Sequence, residues 1–550
     1  MFEKMKRDSR TTVFLWLAVL LLVLMAACSS SNNENSTESL TNENERSSGE
    51  GEPNATGSDD PGVPEINLTY WTNLNNNVAS SLQSLSEVEM YKEMEKDTNV
   101  KLQFQHPPAG QANQQFNLIM SSRDFADVME GNWNQYAGGP TKAIEDGVLV
   151  PLNDLIEQHA PNFKKVLEDY PQVMGQISTT NGEIYAFPSI NVGRYRTFSG
   201  NFIRQDWLDE LGLNMPETIA DWEQVLQTFK EEKGVEAPFS TNLFFLQNIP
   251  SFIEAYGVTH DFFVEDGEVR FGPIESGMKQ ALETMNKWYV EGWLDKDFAT
   301  NDRKAIDAKL LNDQAGAVPG YIGGSMGSYY VAKADDPTFN LVAAPFPVYE
   351  KGEQPRFVPF NFEVSINGQA GITTANEHPV ETVRWFDYFY GEEGHMLKNF
   401  GVEGVTYEIV DGYPTYTDLI MNNSNGYDIA QSMARYFRAN YPTPGMDDDR
   451  YLEQYYTLPQ QQDAMSVFSE HSDYSRAYRL PPVNHTVEES SELAQIMSDV
   501  KTYREEMLLK FIYGDESLDQ FDAYVEQINR MGIGRALEMM QTAYDRYTSN

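Results

Sequence analysis

The segment Ile66-Asn67-Leu68-Thr69-Tyr70-Trp71 alternates apolar and polar side chains, which reads as a β-strand with one buried face. A helix follows, with Leu85, Val88, Tyr91 and Met94 at three-residue steps on one broad face. Val100-Lys101-Leu102-Gln103-Phe104 reads as a second strand, 113–121 as a second helix, and Ala126-Asp127-Val128-Met129 as a third strand. Strands alternating with helices indicate a parallel sheet in an α/β domain. Ligands of such sheets sit at the carboxyl ends of the strands. Here those ends carry Trp71-Thr72-Asn73 and Gly131-Asn132-Trp133-Asn134.

Further on, Asn181-Gly182-Glu183-Ile184-Tyr185-Ala186-Phe187-Pro188 reads as a turn entering a strand. The stretch from Asn201 to Gly212 reads as a strand running into a helix that the glycine ends. Pro216-Glu217-Thr218 then opens a helix containing Trp222.

Before the first strand the chain is of a different kind. Val13 to Ala27 is one apolar run, preceded by Lys4, Lys6, Arg7 and Arg10 and followed by Cys28, the only cysteine. A basic flank, a short apolar core and small residues are the layout of a secretory signal. At 1.5 Å per residue the run spans about 22 Å, short of the ~30 Å hydrocarbon core of a bilayer. Leu24-Met25-Ala26-Ala27-Cys28 resembles a bacterial lipobox, in which the thiol receives a diacylglyceryl group. That implies a signal peptide over 1–28 and a lipid attached at Cys28, on the outer face of a Gram-positive cell membrane. Residues 29–63 are Ser, Asn, Glu, Thr and Gly with almost no apolar side chain, the composition of a polar tether.

The chain carries a formal net charge of −43 over 550 residues, which opposes nucleic acid and anionic membrane surfaces. At 41% hydrophobic residues it can still build substantial cores, and its length suggests two or more domains. With no cysteine after Cys28, the folded part forms no disulfide within itself.

Several segments together resemble a family. They are Asn181 to Pro188, Arg204 to Gly212, Phe271-Gly272-Pro273 through Glu291-Gly292-Trp293-Leu294-Asp295, His378-Pro379-Val380-Glu381, Trp385-Phe386-Asp387-Tyr388, Gly401-Val402-Glu403-Gly404-Val405-Thr406-Tyr407-Glu408, and Phe521 to Tyr547. In order and spacing they resemble bacterial extracellular solute-binding proteins of ABC transporters, in the carbohydrate branch (family 1) that includes LplA-like lipoproteins. The resemblance implies an α/β, two-lobed periplasmic-binding-protein-like fold (type II), with a hinge of crossover segments. It places lobe one at 64–190 and 342–402, and lobe two at 191–341 and 403–550. Leu341 to Pro347 reads as a crossover strand. A single helix is expected from Pro379 to Phe400, with Val383, Phe386 and Tyr390 on one face and proline in its permitted first turn.

The implied ligand is an oligosaccharide, the implied partner an ABC permease, and the protein a monomer needing no cofactor. A sugar offers an apolar CH face and an edge of hydroxyls, so it calls for aromatic platforms beside acids, amides or arginine. Trp71 and Trp133 are the expected platforms, with Asn73 and Asn134 beside them. Arg204, Tyr321, Glu363, Glu403 and Tyr407 complete the candidate set, each with a structural role as the alternative. Tyr185 and Phe187 fit core packing at least as well. Arg194, Arg196 and Arg204 raise an acidic sugar as an option, while the acidic body favours a neutral one.

Gly323-Gly324-Ser325-Met326-Gly327 matches the letters of a nucleophile elbow. Val318-Pro319-Gly320 interrupts the strand an elbow needs, and none of the later histidines stands out as a base. Lys230 to Glu236 lacks the alternating oxygen ligands of a calcium loop, so no metal is expected there. A carbohydrate-active hydrolase or lyase and a structural surface lipoprotein are the alternative classes.

Overall fold

The computed structural model describes residues 65–438 and 441–549. Cys28, its apolar run and the polar segment 29–63 lie outside the described residues. Along the chain the strands are β1 (Ile66–Trp71), β2 (Val100–Gln105), β3 (Val128–Gly131), β4 (Phe187–Ile190) and β5 (Ser199–Arg204). A hairpin follows, β6 (Phe262–Glu265) and β7 (Glu268–Phe271), then β8 (Ala317–Tyr321), β9 (Leu341–Ala343) and β10 (Val364–Ile372). A second hairpin is β11 (Tyr407–Val410) and β12 (Tyr413–Tyr416), and β13 is Gly445–Met446.

The first lobe is built on a six-stranded sheet in the order β13-β4-β10-β3-β1-β2. The alternation of β1 works as read: Ile66, Leu68 and Tyr70 are buried, with Asn67 exposed between them. β1 pairs in parallel with β2, Ile66 opposite Val100, and with β3, Tyr70 opposite Val128. The sheet is mixed rather than all parallel, because β10 runs antiparallel to both β3 and β4. β10 enters from the other lobe, so it descends where its neighbours rise.

The second lobe holds the sheet β8-β5-β9, antiparallel throughout. After β5 comes the helix Gln205–Leu211, which stops at Gly212 with φ +67°, a conformation glycine adopts without strain. The next helix, Ile219–Lys233, starts on a capping box in which Thr218 and Asp221 satisfy each other's backbone donors. Its Trp222 packs with Phe252 and Trp288 in the core of this lobe. The long helix Val487–Tyr513 buries Met497, Val500, Met507 and Phe511 in the same core.

Three segments pass between the sheets: 191–198 after β4, 344–363 before β10, and 447–458 after β13. The third changes the expected division. Residues 403–438 and 441–446, expected with lobe two, pack on lobe one instead. Gly445 pairs with Ser189 of β4, and Arg438 forms a buried ion pair with Glu130 of β3 at 3.2 Å. The helix expected over 379–400 is two helices, Pro379–Tyr388 and Glu392–Phe400. At Gly394 a Cβ would lie 2.0 Å from the Tyr388 carbonyl oxygen, so the backbones meet more closely than a continuous helix with side chains allows. Val383, Phe386 and Tyr390 are all buried, as their spacing requires.

Candidate functional site

The turn after β3, Tyr185 just before β4, the first half of β10 and the strap 482–485 enclose a cleft beside the hinge. Its floor is a small cavity of about 40 Å³ lined by Asn134, Gln176, Tyr185, Ile366, Gln369 and Asn484, among others. A larger cavity of about 920 Å³ adjoins it and shares Asn134, Val483 and Asn484. The larger one lies between the first-lobe loop 134–140 and the second-lobe residues 261–262 and 483–497.

The floor is rich in oriented amides. Tyr185 donates to the Gln369 side-chain oxygen at 3.3 Å, and Gln176 Nε2 donates to Glu363 at 2.7 Å. Asn132 caps the short turn after β3 by accepting from the Asn134 N–H at 3.0 Å, which leaves the Asn134 side chain exposed at the cavity edge. At the wall, burial pushes the His485 imidazole down. Arg546 adds to that effect and Glu489 opposes it.

Glu363 anchors the hinge. It is fully buried at the end of the second crossover and pairs with Arg476 of the second lobe and with Arg196 of the first crossover at 3.6 Å. Burial alone would raise its carboxyl, but hydrogen bonds from Arg476 and Gln176 hold it below the ordinary carboxylate value. The two guanidinium carbons lie 5.8 and 5.9 Å from the centre of the half-buried Phe360 ring, and Phe362 meets that ring edge-on at 5.2 Å.

The expected site residues divide sharply. Asn134 is in the cleft and Glu363 is at the hinge beside it. Tyr321 ends β8 on the second lobe, 41% exposed, with its ring 6.1 Å from Phe245. Asn73 is exposed after β1. Trp71 and Trp133 are not platforms: they are 4% and 1% exposed, wedged apart by Phe116 at 6.1 and 5.6 Å. A Cβ on Gly371 would come within 3.0 Å of Trp133, so the ring is covered by backbone as well. A sugar cannot stack on rings packed in this way.

Arg204 is not in the cleft either. It pairs with Asp206 and Asp313 and lies between the rings of Trp207 and Phe339, at 4.6 and 4.9 Å. Register places it opposite Leu341, at the far end of β5 from the Ser199–Tyr321 pair, about 17 Å along the strand. Tyr407 is buried against Phe400, and Glu403 sits exposed in the turn before it. Gln176, Phe360, Asn361, Phe362 and Asn484 were not singled out from the sequence. Only Pro359-Phe360-Asn361-Phe362-Glu363 carried a signal, an amide between two aromatics before an acid.

The elbow-like serine is also accounted for. Ser325 is fully buried in a π-helical turn, Ile322–Gly327, and its Oγ accepts from the Tyr321 N–H at 2.7 Å.

Comparisons with known proteins agree with this architecture. The family of bacterial extracellular solute-binding proteins matches residues 78–396. The fructooligosaccharide ABC transporter substrate-binding protein FusA of Streptococcus pneumoniae is 24% identical over 492 residues, 83% of this chain and 86% of that protein. Lipoprotein LipO of Bacillus subtilis is 23% identical over 472 residues, 82% of this chain and 88% of its own. The crystal structure of alginate-binding protein AlgQ2 without calcium ion superimposes with a TM-score of 0.70 at 28% identity, covering 88% of this chain and 98% of that one.

Proposed function

The chain belongs to the family of bacterial extracellular solute-binding proteins, and from that premise we propose that it captures a neutral oligosaccharide between its lobes and delivers it to an ABC permease. The carrying observation is the cleft itself, with amides on its floor and walls from both lobes; the half-buried Phe360 and Phe362 stand beside Glu363 at the hinge. A ligand touching both lobes stabilises the closed arrangement through that differential contact alone. Asn134 supplies hydroxyl contacts, and Tyr321 and the Phe360–Phe362 pair supply aromatic surface.

Charge matching favours a neutral sugar. Arg194 pairs with Glu453 at 2.5 Å, Arg196 with Glu363, and Arg204 with Asp206 and Asp313. Each arginine that raised an acidic ligand already faces a carboxylate, although Arg196 shares Glu363 with Arg476. The role is binding without turnover. The mature protein is a monomer held by lipid at Cys28 on the outer face of the membrane, in keeping with the lipoprotein named among its relatives.

Titration calorimetry over neutral and acidic oligosaccharides tests the reading. One or more neutral oligosaccharides should bind without being altered. Catalytic breakdown of the bound sugar, or silence across the panel, would sink it.

A further inference from the structure

Outside the cleft, a cavity of about 700 Å³ lies between the first-lobe helix Pro171–Ile177, the turn 178–182 and the last turns of the C-terminal helix Ile533–Ser549. Its volume falls within the range of ~300–1,000 Å³ usual for small-molecule sites. Asn484 parts it from the cleft, donating to the carbonyls of Gly175 and Ser178. Met174 and Tyr547 give the cavity carbon surface, and Ser178, Thr180 and Asn181 give it hydroxyl and amide groups.

Two of its polar atoms are unpartnered. Ser178 is only 9% exposed, and its Oγ makes no hydrogen bond. Arg546 spends its terminal nitrogens on Glu489 and on the Asn484 carbonyl, which leaves Nε without an acceptor. Both atoms lie just behind the cavity wall; a buried polar group without a partner is unfavourable, so either side chain gains by turning toward a hydroxyl that an occupant brings to the wall. With the Arg546 charge already matched by Glu489, the cavity offers hydrogen bonds and carbon surface but no free charge.

We propose that this cavity is a second saccharide site, taking a neutral, hydroxyl-rich sugar separately from the cleft. It is connected to the hinge. The Tyr547 ring lies over Gly175, its hydroxyl meets the Gln176 amide, and Gln176 donates to Glu363. Because both lobes supply walls, an occupant fastens the C-terminal helix to the first lobe and favours one hinge arrangement over others.

Hydrogen exchange on the full chain, read by mass spectrometry, tests this with three neutral trisaccharides (raffinose, maltotriose and kestose) and with trigalacturonate as the charged control. At least one neutral trisaccharide should protect 171–182 and 543–547, and trigalacturonate should not. Ser178→Val, and Asn181→Ala at an exposed position, should each weaken that protection at least five-fold while leaving 131–136 and 360–366 unchanged. Protection of the cleft segments alone, unaltered protection in both variants, or protection by trigalacturonate instead would overturn the second site and leave the cleft reading standing. Protection of neither region by any probe would overturn both.

Discussion

Gln176 Nε2 donates to Glu363 Oε2 at 2.7 Å, tying a helix of the first lobe to the last residue of the second crossover. Arg476 grips the other carboxylate oxygen from the second lobe. One buried carboxylate thus joins elements from both lobes. Glu363→Ala leaves Arg196 and Arg476 without their shared partner, and removing one member of a buried pair costs about 3–5 kcal/mol. The variant should show a lowered midpoint in urea unfolding. An unchanged midpoint would remove Glu363 from its anchoring role.

Trp133 is packed on every side, so truncation opens a void. Trp133→Ala should destabilise the protein by about 3–5 kcal/mol. Trp133→Phe should recover part of that loss, and the molecules that still fold should bind saccharide as the parent does. Weakened binding at full stability would restore the platform role.

Tyr321 gives the opposite pattern. Its ring is 41% exposed at the end of β8, with little packing to lose. Tyr321→Ala should leave the melting temperature within a degree or two. If the ring stacks on a sugar, an aromatic contact of about 0.5–1.5 kcal/mol corresponds to a loss of affinity of roughly two- to ten-fold. Calorimetry on the variant decides it.

His260 sets a pH dependence. Burial holds its imidazole below the usual value of 6.5, down to about 4, with Asp261 opposing and Arg504 reinforcing the shift. The folded state therefore binds the proton less readily than the unfolded chain. Its contribution to stability is complete above pH 6.5 and is lost as pH falls toward about 4. Melting temperature should fall over that window, and His260→Gln should flatten the slope there.

Cys28→Ser should remove the lipid and release the protein from cells into the medium. Retention of the variant at the cell surface would count against lipid at this position.

Local signals in the chain were sufficient for several elements, though not for the break at Gly391 that splits 379–400 into two helices. The alternation of Ile66 to Trp71, the glycine stop at Gly212, the Thr218 cap and the proline at 379 each act within a few residues, so each could be read directly. The family resemblance rested on the order of such segments. What tertiary structure alone decided was the surroundings of each side chain. Trp71 ends its strand as expected and Trp133 opens the turn just past β3, but Phe116 and Gly371, distant in sequence, bury them. Arg204 ends its strand as read, but Asp313 and Phe339 claim it. The two-residue strand Gly445–Met446 is too short to register in sequence, yet its pairing with β4 moves 403–438 and 441–446 to the first lobe. Periodicity and capping are properties of neighbours along the chain. Burial, ion pairing and cleft geometry depend on contacts between residues hundreds of positions apart, and those exist only once the chain has closed on itself.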